Sequence, residues 1–178
     1  MDNRQTYEKS VKVKNKGSHL AKKITIIMAY ILFFSVWVAA AMNNAERFVL
    51  ILTAGILSTL LAVILTWKYL YVEYEYSFWY GNMSIAKIYA KRKRKNVIST
   101  EMKELLIIAP ADEENIQRAS RFEPEETLMA VSSEDADGIW LAVTGGKDEK
   151  RVLIFFEADD RSLDMLKKAN HFAFVKKT

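Results

Sequence analysis

Two stretches without a charged side chain constrain this chain more than anything else in it. Ile24–Met42, "ITIIMAYILFFSVWVAAAM", runs for 19 residues, and Phe48–Trp67, "FVLILTAGILSTLLAVILTW", runs for 20. At about 1.5 Å per residue each makes a helix roughly 30 Å long, the thickness of a bilayer's hydrocarbon core. Only "NNAER" separates them, enough for a tight turn between antiparallel spans. The competing fold is a buried helical hairpin in a soluble protein, but neither helix has a polar face to show to water. The first run is also too long, and the second follows too soon, for a cleaved signal peptide. The pattern reads as a two-helix transmembrane hairpin, 24–67, within a membrane protein.

Sidedness follows from Lys and Arg near the span ends. Residues 1–23 form a basic arm with seven such residues against two acids, Lys22 and Lys23 lying next to the first span. The turn carries Arg47 beside Glu46, and the second span is followed by Lys68, Lys87 and five consecutive cations, Lys91, Arg92, Lys93, Arg94 and Lys95. Basic flanks and a neutral turn place both termini in the cytoplasm of a two-pass cell-membrane protein. Trp67, Tyr69 and Tyr71 sit at a span end as interfacial anchors, whereas Trp37 and Tyr30 lie further inside. The mean hydropathy of −0.04 conceals all this because it averages two unlike halves.

Residues 68–178 are long enough for a small core of their own. "LYVEYEYSF" alternates, with Leu70, Val72, Tyr74, Tyr76 and Phe78 on one side, the period of a half-buried strand. "YGN" supplies a turn and "MSIAKIYAK" a return strand; "NVIST" and "MKELLIIA" read as two short strands or one with a bend. The acidic stretch 111–126 reads as a loop with one short helix, followed by strands at "TLMAVS", "GIWLAVT" and "RVLIFFE". The last two are joined by a hairpin turn, "GGKDEK". "ADDRSLDMLKKANHF" is a helix N-capped by Asp159 or Asp160, with Leu163, Leu166 and Asn170 on one face, broadened by Met165 and Ala169.

Six or seven antiparallel strands and then one helix is an order that resembles a pleckstrin-homology-like domain, a bent barrel plugged by its last helix. "VEYEYSFWYGNMSIAKIYAKRKRKNV", "ELLIIAP" and "VLIFFEADDRSLDMLKK" resemble a family of small uncharacterised two-span membrane proteins of anaerobic Gram-positive bacteria. The likeness covers roughly residues 70–168. It implies the α+β fold and the topology and carries over no catalytic residue.

Several chemistries have no support in the residues. The absence of cysteine excludes thiolate zinc clusters and thiol catalysis and agrees with a reducing compartment. His19 and His171 lack partners at metal spacing, and "TGGKDEK" lacks the phosphate-loop pattern. "EEN", "EPEE" and "EDAD" lack the glycine of a calcium loop. The spans hold no Asp, Glu, Lys, Arg or His, against an ion pathway. Ser35, Thr53, Gly55, Ser58 and Thr59 offer modest help to helix packing. No enzyme, metal or cofactor is expected.

The five-cation run has four readings: a topology signal and solvated turn, seating on anionic lipid, an acidic protein partner, or nucleic acid. Nucleic acid is disfavoured because the run lacks interleaved aromatics. Residues 68–110 are net +4 and residues 111–178 net −5, so the domain has a basic and an acidic side. Each cation near an anionic leaflet is worth about 1 kcal/mol. The sequence therefore points to a binding or scaffolding module seated by Lys91–Lys95, helped by Lys22 and Lys23. The alternative is a subunit of a membrane complex, or a homo-oligomer, in which the run only sets topology.

Overall fold

The computed structural model describes residues 6–14, 17–67, 70–133, 135–145 and 150–175. The chain forms two units, one of Lys14–Val72 and one of Met1–Val13 with Glu73–Thr178.

The first unit is the helical hairpin, α1 (Gly17–Met42) and α2 (Phe48–Trp67), joined through a 3₁₀ turn at Ala45–Arg47. Helix α1 starts seven residues before the uncharged run, so Lys22 and Lys23 lie within it. Both helices are long and apolar enough to cross a membrane. Their large side chains face outward: Leu32 is 65 % exposed, Leu50 71 % and Val49 75 %. In water that surface would be unfavourable by about 25 cal/mol per Å². The hydroxyls behave as an apolar medium requires. Thr53 donates to Val49 O (2.7 Å), Thr59 to Gly55 O (2.8 Å) and Ser35 to Leu32 O (2.8 Å), so each is satisfied within its own helix. Between the helices, Gly55 is buried against Trp37, where an added Cβ would lie 2.6 Å from the Trp37 Cβ. Tyr30 and Thr66 share a hydrogen bond across the hairpin. Trp37 and Tyr30 thus serve helix packing. Trp67 packs on Tyr71 (5.9 Å between centroids), over which the Lys23 ammonium sits at 4.9 Å.

Among the described residues the second unit contains eight strands, one more than the upper expectation. These are β1 (Thr6–Lys12), β2 (Val72–Trp79), β3 (Asn82–Tyr89), β4 (Lys93–Glu101), β5 (Ile107–Pro110), β6 (Glu126–Ala130), β7 (Ile139–Val143) and β8 (Val152–Glu157). They are joined by α3 (Glu113–Ser120) and closed by α4 (Asp160–Ala169). The strands form two four-stranded sheets, ordered β1-β2-β3-β4 and β5-β7-β8-β6. Two expectations need correction. The segment read as part of a basic arm is an integral strand: β1 pairs antiparallel with β2 from Thr6↔Trp79 to Lys12↔Glu73. Its lysines masked it, because on this edge strand only Val11 is buried. The sheets are also not wholly antiparallel, since β6 runs parallel to β8.

β1 is tied down at a second place. Tyr7 donates to the Asp159 carboxylate, Lys9 lies 3.8 Å from the same carboxylate, and the Arg161 guanidinium lies 4.8 Å from the Tyr7 ring centroid. Asp159 is also the N-cap of α4, in a capping box with Ser162. Burial raises its pKa, but the hydrogen bonds from Tyr7 and Ser162, with Lys9 nearby, prevail and hold the carboxyl below its ordinary range.

Tyr76, Phe78, Met83 and Ile85 of the first sheet are fully buried, as are Ile108, Leu141, Ile154 and Phe156 of the second and Leu166 of α4. Tyr76 joins the sheets: its hydroxyl donates to Ala130 O, and its ring meets Phe156 edge-on at 6.2 Å. β5 and β7 are apolar without alternation because both faces are covered, whereas β6 at the sheet edge is largely exposed. Ile107, Ala109, Leu141, Val143 and Leu153 pack with Ala119 of α3, while Ile154 and Phe156 point the other way. Asn170 ends α4 by donating to the carbonyls of Met102, Lys103 and Leu105 at 2.9–3.2 Å. Ala169, expected on the buried stripe, is exposed. Most of the "GGKDEK" turn, together with Lys68 and Tyr69, lies outside the described residues.

Candidate anion-binding hairpin

The basic run occupies the turn between β3 and β4 and the first residues of β4. Arg92 N–H donates to Tyr89 O (3.0 Å), and the two central residues have positive φ, Ala90 at 47° and Lys91 at 58°. Such angles at successive residues match the twist of the strands and are usually supplied by Asn-Gly; here Tyr89 pairs with Lys93, so Arg92 completes a three-residue loop with Ala90 and Lys91. With a Cβ at both positions it stores on the order of 1 kcal/mol of strain per residue, a feature that concentrates at functional sites.

A β-bulge decides which cations face together. The β3–β4 register runs Ile85↔Ile98 and then Ala86↔Asn96, leaving Val97 as the extra residue. Beyond it the pairs are Lys87↔Lys95, Ile88↔Arg94 and Tyr89↔Lys93. Paired residues share a face and neighbours alternate, so Lys87, Lys93 and Lys95 point one way and Arg94 the other. An unbulged strand would have put Arg94 and Asn96 on the face of Lys87.

The two faces differ in chemistry. Arg94 lies 2.7 Å from the Glu75 carboxylate and 3.4 Å from the Ser77 hydroxyl. It lines a cleft of about 670 Å³ with Glu8, Ser77, Ser84 and Asn96. On the other face the Lys87 ammonium lies 5.6 Å from the ring centroids of both Tyr74 and Tyr89. Burial pushes the Tyr74 phenol's pKa up, with a smaller contribution from Tyr89. Among the described residues no carboxylate lies within ion-pair distance of Lys87, Lys91, Arg92, Lys93 or Lys95.

Of the expected site residues, the fold brings together Lys93 and Lys95, with Lys91 and Arg92 at the tip, and gives Arg94 to a structural ion pair. Lys22 and Lys23 belong to the helical unit. Lys87 was absent from the sequence-based site. It stands alone in its strand, and only the register sets it against Lys95. No group of three or more His, Asp or Glu that could hold a metal occurs among the described residues.

A two-sheet domain with a capped C-terminal helix, interrupted after its first strand by an apolar helical hairpin, defines a PH-like domain carrying candidate transmembrane helices. The chain belongs to the family described as bacterial PH-like domain (DUF6106), whose model matches residues 5–176, helices included. Neither a search of curated proteins nor one of solved structures finds a match to the chain.

Proposed function

We propose that this protein is a membrane-anchored binding module, not a catalyst, whose cytoplasmic domain is seated on the anionic inner leaflet by the β3–β4 hairpin. The observation that carries the reading is the group of five cations without carboxylate partners among the described residues: Lys87, Lys93 and Lys95 on one face, with Lys91 and Arg92 at the tip. Each contributes about 1 kcal/mol near an anionic leaflet. Placement in the membrane is supported by the two outward-facing apolar helices, and the cytoplasmic side by the basic flanks. A common side for both flanks is supported by the β1–β2 ladder. Strands before and after the hairpin share one sheet, so the segment between them crosses an even number of times.

The absence of native cysteine makes a direct test simple. A spin label on Asn96→Cys, in the full chain in nanodiscs, reports proximity to lipid-borne nickel. Seating predicts that proximity rises with phosphatidylglycerol content and falls with salt. Proximity indifferent to both would refute it. It would favour the second reading, a protein partner, for which β4 offers an edge with no strand paired to it among the described residues. Crosslinking across that edge would then be the next experiment.

A further inference from the structure

We propose that Lys87 and Lys95, with Lys93 beside them, form a discrete site for a phosphomonoester group. The proposal rests on the reading of the basic hairpin as the anion-facing element. It goes further by requiring one saturable site in place of a diffuse charge.

The register carries the argument. Lys87 and Lys95 are direct cross-strand partners on one face, next to the Tyr89↔Lys93 pair. Cβ atoms of such partners lie about 4.5–5.5 Å apart, close enough for two ammonium groups to grip one tetrahedral anion. Like charges set opposite each other destabilise a hairpin, and a bound dianion turns that repulsion into attraction. The bulge at Val97 creates the pairing, with Arg94 diverted to Glu75 on the other face. The site is also partly organised in advance. Lys87 is half-buried and its ammonium lies over the Tyr74 and Tyr89 rings, which lowers the entropy lost on binding. The Tyr74 phenol is neutral near neutral pH, and burial raises its pKa further, so that ring brings no competing charge.

The charge balance selects the ligand class. A phosphomonoester carries about −1.5 to −2 near neutral pH, matching two ammonium groups, where a diester head group carries only one charge. Lysine serves phosphate as a compact point charge, without needing the planar fork of arginine. The group could belong to a lipid such as phosphatidic acid or to a soluble phosphate, and the two sources separate in one experiment.

The full chain in neutral maltoside micelles is titrated calorimetrically at fixed ionic strength. The titrants are inorganic phosphate, and short-chain phosphatidic acid or phosphatidylglycerol at matched micelle charge. The expected result is saturable one-to-one binding, preferring phosphatidic acid to phosphatidylglycerol. Lys87→Gln and Lys95→Gln should each weaken it by about fivefold or more, and Lys167→Gln on α4 should not. Phosphate binding with the same variant pattern supports the site and assigns it a soluble ligand. Lys95 is exposed, so its variant keeps the test valid if Lys87→Gln folds poorly. Equal binding of both lipids, weakened alike by every basic substitution, would overturn the site and leave electrostatic seating standing. Binding of no anion would overturn both.

Discussion

Tyr76→Phe tests how the two sheets are held together. The side chain is completely buried, and its hydroxyl is the only group that the change removes. That hydroxyl donates to the carbonyl of Ala130, itself buried at the end of β6, and lies 3.4 Å from the Glu157 N–H as an acceptor. The edge-on contact with Phe156 survives, because the ring stays. The loss is therefore a hydrogen bond plus a buried carbonyl short of a donor, about 1–2 kcal/mol. That is a sizeable part of the roughly 5–15 kcal/mol by which domains are stable. Urea unfolding of the full chain in neutral micelles, followed by near-ultraviolet circular dichroism, should show a lower midpoint at unchanged slope. The same residue predicts a pH dependence. Burial raises the Tyr76 pKa above its ordinary value of 10.0, helped by the Glu157 carboxylate and Tyr74 and opposed by the Glu157 N–H. A raised folded-state pKa means stability that is complete below pH 10 and is lost as pH climbs from there towards the folded value. The wild-type chain should lose stability above pH 10, and Tyr76→Phe should lose less of it. A variant within about 0.5 kcal/mol of the parent, with an unchanged alkaline limb, would refute the claim that this hydroxyl bridges the sheets.

Gly55→Ala places a Cβ 2.6 Å from that of Trp37, so the helices must part. Overpacking of this kind costs about 1–3 kcal/mol, and fluorescence transfer across the hairpin should report the wider separation. Asp159→Ala removes the α4 N-cap and the anchor of β1 together, lowering stability by about 1 kcal/mol or more in urea unfolding. Because the Asp159 pKa is held below its ordinary value of 3.8, its contribution is present above that pH and fades as pH falls through the folded value; the alanine variant should show a shallower acid limb. Arg94→Gln breaks the pair with Glu75, so it should lower stability by about 1 kcal/mol while sparing lipid-charge sensitivity; Lys95→Gln should do the reverse. A cysteine at Asn44, in the helical turn, should react with impermeant maleimide from outside intact cells, and one at Lys167 should not.

The apolar helices and the strand after them were legible because each rests on local pattern. Nineteen and twenty uncharged residues admit few folds, and the alternation around Tyr74, Tyr76 and Phe78 marks a strand whatever it pairs with. The α4 cap could be narrowed to Asp159 or Asp160, since capping is a matter of a few neighbouring atoms, and the structure selects Asp159. β1 could not be read in this way. "TYEKSVK" has one buried side chain, and it becomes a strand only through β2, sixty residues on and beyond the helical hairpin. The candidate site divides along the same line. The sequence by itself determined that five cations stand together and that their neighbourhood is basic. Only the tertiary structure decided which of them act together. One extra residue at Val97 turns Lys93 and Lys95 towards Lys87 and sends Arg94 to Glu75, because side chains in a strand alternate and a shift of one position moves every later side chain to the opposite face.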